Sequence, residues 1–181
     1  SPSILPTISV HGSFSISSGM DSTWFVPPGI NFIEVDVRGG NGATGQGLPG
    51  CAYSQGAGGC GGARGGSVRV LLSVNPNDMV QLSAGANASQ APNAGGNCGT
   101  GATGATGEAS SLIVNGNTVV TAGGGAGGVG ARCPCGYGYY NCAHSTTPTP
   151  VPGSVSGPAI NSGAILLEVG TLGGGSITVR F

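Results

Sequence analysis

Residues 31–39, NFIEVDVRG, alternate without a break: Ile33, Val35 and Val37 are interleaved with Glu34, Asp36 and Arg38. A period of two places the apolar set on a buried face and the charged set towards solvent, as in a strand. Residues 22–26 (STWFV) precede this run across a Pro27-Pro28-Gly29 turn. Residues 67–72 (SVRVLL) and 79–82 (MVQL) flank Asn75-Pro76-Asn77-Asp78, which is built from residues that turns prefer. Leu112-Ile113-Val114 and Thr118-Val119-Val120 flank Asn115-Gly116-Asn117, and Asn-Gly between β-branched runs is the strongest short hairpin signal. Residues 165–169 and 177–181 form a last pair around Gly173-Gly174-Gly175. No segment keeps helical spacing. The pattern predicts an all-β fold, a jelly-roll-like sandwich of about eight to ten short strands.

Glycine fills the spaces between these strands, 39 residues of 181, and it keeps a register of three. Gly39, Gly42 and Gly45 begin it, and after a slip it runs from Gly47 to Gly65 through GCAYSQGAGGCGGARGG, residues 50–66. A second run has Gly95, then Cys98 in phase, then Gly101, Gly104 and Gly107; a third has Gly124, Gly127, Gly130, then Cys133 in phase, and Gly136. A flexible linker has no reason to hold such a period. An extended threefold helix does, because it presents the same edge once per turn. The insertions are therefore expected to be packed polyglycine II-type helices. Residues 12–181 read as one glycine-rich β domain, and residues 1–11, SPSILPTISVH, as an N-terminal arm that docks on a neighbouring protein.

Charge is sparse. Five arginines, six acids and a net charge of −1 close the charge-repulsion route to disorder. Collagen requires an unbroken Gly-X-Y repeat with far more than the 12 prolines present. Arg38, Arg64, Arg69, Arg132 and Arg180 are scattered, so no basic stripe offers itself to nucleic acid. No apolar run reaches the length of a membrane span, and membrane insertion is not expected.

Cys51, Cys60, Cys98, Cys133, Cys135 and Cys142 make an even set of six. Such a set suits three disulfides in an oxidising location, and the fifteen possible pairings stay open. Cys133-Pro134-Cys135 is too closely spaced for a common zinc knuckle, so neither metal nor cofactor is expected. Catalysis is not expected either. His11 and His144 are the only histidines, and no G-x-S-x-G nucleophile motif is present. Glu34 and Asp36 read as a polar strand face rather than a carboxylate pair.

Recognition fits better. Residues 133–147, CPCGYGYYNCAHSTT, gather Tyr137, Tyr139 and Tyr140 between cysteines, with His144 just after Cys142. Aromatics held on a stiff loop stack on sugars or fill protein grooves while their hydroxyls hydrogen-bond. The alternative is that they plug the end of a glycine bundle poor in large side chains. Tyr53 and Gln55 interrupt the first glycine run in a similar way. Residues 146–157, TTPTPVPGSVSG, read as an extended segment crossing between subunits or layers.

The run WFVPPGINFIEVDVRGGNGA, residues 24–43, resembles the entry of glycine-rich domains in bacteriophage tail-fibre and related virion proteins. There a strand, a Val-Pro-x-Gly turn and an alternating strand lead into a glycine run. SVRVLLSVNPNDMVQLSAGA, SSLIVNGNTVVTAGGGAGG and the final SITVRF follow in the order that family shows, so the likeness extends over residues 12–181. The resemblance implies polyglycine II helices bundled beside β-strands, in a virion protein that is a homo-oligomer, expected to be a trimer. It also implies contact with other virion proteins and with a host cell-surface glycan or protein, through segments between the glycine runs. Three alternatives stand beside it. One is a purely structural capsid or tail component; another is an extracellular-matrix protein. The third is an ice-binding protein, for which Ala-Thr-Gly-Ala-Thr-Gly at 102–107 would suit a flat face.

Overall fold

The computed structural model describes residues 12–48, 58–90, 99–133 and 165–181. Eleven strands and no helix occur among the described residues: β1 (Ser13–Ile16), β2 (Asp21–Phe25), β3 (Phe32–Arg38), β4 (Ser67–Ser73), β5 (Met79–Ser83), β6 (Gly99–Thr100), β7 (Ser110–Val114), β8 (Asn117–Ala122), β9 (Arg132–Cys133), β10 (Ile165–Gly170) and β11 (Ser176–Arg180). A five-stranded sheet of order β1-β11-β3-β4-β10 packs on a four-stranded sheet of order β2-β5-β7-β8, with every pairing antiparallel. The all-β sandwich expected from the alternation is therefore present.

Alternation explains the core. Ile33, Val35 and Val37 of β3 are fully buried and meet Val68, Val70 and Leu72 of β4 with Ile177 and Val179 of β11. Val80, Leu82, Leu112 and Val120 come from the opposite sheet. Each fully buried side chain of this kind contributes about 1.5–3 kcal/mol. Phe14, Trp24 and Phe181 close one side of the core with tilted ring contacts 5.1–6.5 Å apart.

Three further strands join those expected from the sequence. β1 is only four residues long, but its Ser-Phe-Ser-Ile alternation turns Phe14 and Ile16 towards the core, and pairing with β11 holds it. β6 and β9 are two-residue strands that exist because they pair with each other. The Asn-Gly hairpin is as expected: Asn115 (φ 49°) and Gly116 (φ 80°) supply the two left-handed residues of a tight turn between β7 and β8.

The polar alternates of β3 do not simply stand in water. Glu34 takes a 2.7 Å hydrogen bond from Arg180 and lies 3.8 Å from Arg69, while Arg38 grips Asp36 at 2.7 Å. Strand pairing sets Arg180 opposite Glu34 and Arg69 opposite Asp36, while Arg38 lies two residues beyond Asp36 on β3 itself, and both carboxylates are half-buried. Glu34 and Asp36 are thus tied into separate ion pairs, as a structural polar face requires.

Candidate functional site

The strands do not end where their pairing ends. β3 continues into residues 39–48, residues 58–66 run into β4, residues 101–108 lead to β7, and β8 continues into residues 123–131. These four glycine segments stand together at one end of the sandwich, joined by backbone hydrogen bonds that recur every third residue. Gly39, Gly42 and Gly45 donate to Gly66, Ala63 and Cys60, while Gly40, Ala43 and Gln46 donate to Glu108, Ala105 and Ala102. Cys60, Ala63 and Gly66 donate to Val129, Ala126 and Gly123, and Gly101, Gly104 and Gly107 donate to Ala131, Gly128 and Gly125. Gly125, Gly128 and Ala131 complete the set by donating to Gly40, Ala43 and Gln46.

The directions follow from these registers. In four of the contacts the residue numbers run in opposite senses, so the segments are antiparallel; in the fifth they rise together. Segments 39–48 and 123–131 are therefore central and parallel, and each touches both flanking segments, 58–66 and 101–108. A helix that turns once in three residues shows three edges, and here each central helix uses all of them. This is the polyglycine II-type packing expected from the period of three.

Side-chain volume is what the packing forbids. A Cβ at Gly42 or Gly45 would strike the carbonyl of Ala126 or Val129, and one at Gly59, Gly62 or Gly65 would strike Gly45, Gly42 or Gly39. Gly104 meets the Ala43 carbonyl in the same way, and Gly127 meets Gly104. The 123–131 segment has a second such row, which the sequence reading did not separate out: Gly125 and Gly128 face the carbonyls of Ala63 and Cys60. Consecutive glycines at 124–125 and 127–128 supply its two bare edges, whereas the other central segment carries Ala43 and Gln46 after Gly42 and Gly45.

Polar side chains pin the root of the bundle to the sandwich. Buried Ser110 donates to the Arg38 carbonyl at 2.6 Å and accepts from the Gly85 amide at 2.8 Å. Asn87 Oδ1 accepts from the Asn41 amide at 2.8 Å, and Asn41 Oδ1 accepts from Gly65 at 3.2 Å. The left-handed Gly173-Gly174-Gly175 turn packs here too, with the Gly175 amide donating to Gly39 at 3.0 Å. None of these anchors carries a periodic signal. Only the tertiary structure brings them together.

At the opposite end stand Leu48, Gly58, the β6–β9 pair and the last residues of the 123–131 segment. Every recognition residue expected from the sequence lies outside the described residues: Tyr53 and Gln55 between Leu48 and Gly58, and Tyr137, Tyr139, Tyr140 and His144 beyond Cys133. Cys51, Cys98, Cys135 and Cys142 lie outside as well. Cys60 is half-buried within the bundle, and the backbone of Cys133 pairs with Gly99 in β9.

The flanks of the bundle differ in chemistry. Segment 101–108 turns Gly101, Gly104 and Gly107 inwards and exposes Ala102, Thr103, Ala105, Thr106 and Glu108. Segment 58–66 exposes Gly58, Gly61 and Arg64. Among the described residues no cluster of three or more His, Cys, Asp or Glu side chains is placed to hold a metal, and no helix is long and apolar enough to cross a membrane. Asp78, at the other end of the sandwich, is held below the ordinary carboxylate range by the Asn75 amide and Asn115 Nδ2, which donate to it. No protein-family model matches the chain, and no curated protein matches it.

Proposed function

We propose that this chain is a virion attachment protein, a fibre-tip, spike or decoration element working as a homo-oligomer, expected to be a trimer. It would grip a host-surface glycan or protein by recognition rather than catalysis. The observation that carries this reading is the bundle itself. Four glycine segments locked by period-three backbone bonds form a stiff post, and they grow directly out of the strands of a sandwich. Both recognition stretches singled out in the sequence are connected to the end of that post farthest from the sandwich. Presenting contacts from a rigid support reduces the ordering entropy lost on binding. The resemblance to tail-fibre glycine-rich domains points the same way.

The test is binding of the purified protein to intact candidate host cells, beside a variant with Tyr137, Tyr139 and Tyr140 replaced by alanine. Saturable binding lost in a folded variant supports the attachment reading and places the contact. A folded, correctly assembled protein that binds no host cell favours a purely structural virion role.

Ice binding is a second reading, favoured by one observation. Thr103 and Thr106 are both exposed one turn apart on segment 101–108, beside exposed Ala102 and Ala105, so like residues repeat about every 9.3 Å along the axis. Thermal hysteresis abolished by Thr103→Glu and Thr106→Glu would support it, and its absence from the folded protein would remove it.

A further inference from the structure

The outer strands of the two sheets are not alike. β1 exposes Ser13 and Ser15, β2 exposes Asp21, Thr23 and Phe25, and β8 exposes Asn117 and Thr118. On β10 the exposed residues are apolar: Leu166 is 48% exposed, Leu167 36% and Val169 45%, with Leu172 at 49% just beyond. Among the described residues seven large apolar side chains stand exposed, and these four fall within positions 166–172. An apolar patch so concentrated marks a surface that something covers.

The sandwich itself does not cover it. β7 and β8 lie across β3 and β4, which leaves β10 outside the overlap of the two sheets. Leu166 pairs with Val70 and Val169 with Val68, both core residues, so both side chains lie on the inward face of their sheet. The bulge inserts Leu167 between them, which is why residues three apart face the same way. Sheet edges are ordinarily guarded by lysine, proline or an inward charge. β10, ILLEVG, has none of these, and its single acid lies on the outward face.

The strand is its own complement. Laid antiparallel to β10 of a second copy about a twofold axis, with Leu167 opposite Glu168, it sets Leu166 of each copy against Val169 of the other. Inward apolar then meets inward apolar, and Ile165 meets Gly170 at both ends. A shift of one residue either way sets Glu168 against Leu166 or against its own twin. Charge is balanced in the favoured register. Glu168 lies opposite Arg69 of β4, whose side chain is 44% exposed, so each copy brings one acid and one arginine to the outer side of the seam. Six paired residues make a seam about 20 Å long, the scale of a reversible contact rather than an obligate one.

We infer that β10 is a self-association edge, through which two copies of this chain join their five-stranded sheets across a twofold axis. Sedimentation of the full chain over a hundredfold range of concentration tests it, beside two variants, Leu166→Lys and Val169→Glu. The wild-type chain is expected to associate reversibly, and each variant alone to weaken that association at least about tenfold. Mixing the two variants should restore it, because in this register the two introduced charges face each other across the seam. Association unchanged in both variants would overturn the inference, as would variants that stay apart when mixed. A trimer that persists in both would also overturn it, while leaving the threefold assembly proposed above standing. Hydrogen exchange of the wild-type chain keeps the test independent of how the variants fold. The β10 amides that face away from β4 should be protected at high concentration and lose that protection on dilution. Exchange that is fast at every concentration, or slow at every concentration, would overturn the assignment.

Discussion

The Gly128 amide donates to the Ala43 carbonyl at 2.8 Å, across the only pair of described glycine segments that run in the same direction. That bond sits at the centre of the bundle, and the geometry around it leaves no room for a methyl group. A Cβ on Gly128 would collide with the Cys60 carbonyl, and one on neighbouring Gly127 with the Gly104 carbonyl. Backbone cannot rotate aside as a side chain can, so the segments would have to part.

Gly127→Ala and Gly128→Ala should each cost about 3 kcal/mol or more, at the upper end of what overpacking does. Gly61→Ala is the control, since a Cβ there meets nothing within 4 Å. With no steric penalty it should be neutral, or stabilise by about 0.4–1 kcal/mol through a less flexible unfolded chain. Urea unfolding of the three variants beside the parent checks this. Equal losses in all three would mean that the bundle does not pack at these edges.

The contrast between Gly61 and Gly128 also marks how far the sequence could be read. The register of three was visible because each contact repeats at the helical period, and the same logic made the strands visible through Ile33, Val35 and Val37. Which glycines are bare against a neighbour, and which are merely exposed, depends on how many neighbours a segment has. Gly61 lies on a flanking segment and Gly128 on a central one, and local sequence does not encode that difference. Ser110 was equally silent, because its two partners come from Arg38 and Gly85, far away in the chain. The tyrosine and cysteine cluster beyond Cys133 stands out by composition alone, and the described residues fix only the point from which it departs.

Ser110→Ala should be a costly change for so small a polar side chain. Its hydroxyl is fully buried and bridges the Arg38 carbonyl to the Gly85 amide, fastening the root of the bundle to the sandwich. Alanine leaves a buried donor and a buried acceptor unsatisfied, a loss of about 1–3 kcal/mol for each such group. The denaturation midpoint should fall, and exchange at the Gly85 amide should rise. Ser110→Thr keeps the hydroxyl and separates its loss from a simple change of volume.

The ion pairs of β3 should matter little by comparison. Glu34 meets Arg180 at 2.7 Å, but the arginine side chain is 36% exposed, and pairs of this kind are worth at most about 1 kcal/mol. Glu34→Gln is expected to lower stability by less than that, with the difference shrinking as salt is raised. Unfolding at low and high ionic strength reads it directly. A loss several times larger would give this face a role beyond holding two strands in register.

Acid sensitivity should be measurable at Asp78. Hydrogen bonds from the Asn75 amide and Asn115 Nδ2 favour its charged form and lower its folded pKa from the ordinary 3.8. A depressed carboxylate stabilises the fold above its unfolded pKa, and that contribution disappears as pH falls through the lower folded value. The two donors join the turn before β5 to the hairpin after β7, and Asn115 Oδ1 in turn accepts from the Met79 amide at 2.9 Å. Asp78→Asn should therefore be less stable than the parent at pH 7, and the gap should begin to narrow as pH drops below about 4 and vanish only below the lower folded value. The site is largely open to water, so the difference will be modest. Urea titrations of both proteins from pH 7 to pH 2 provide the measurement, and curves that stay parallel throughout would show that the Asp78 contacts do not favour its ionised form.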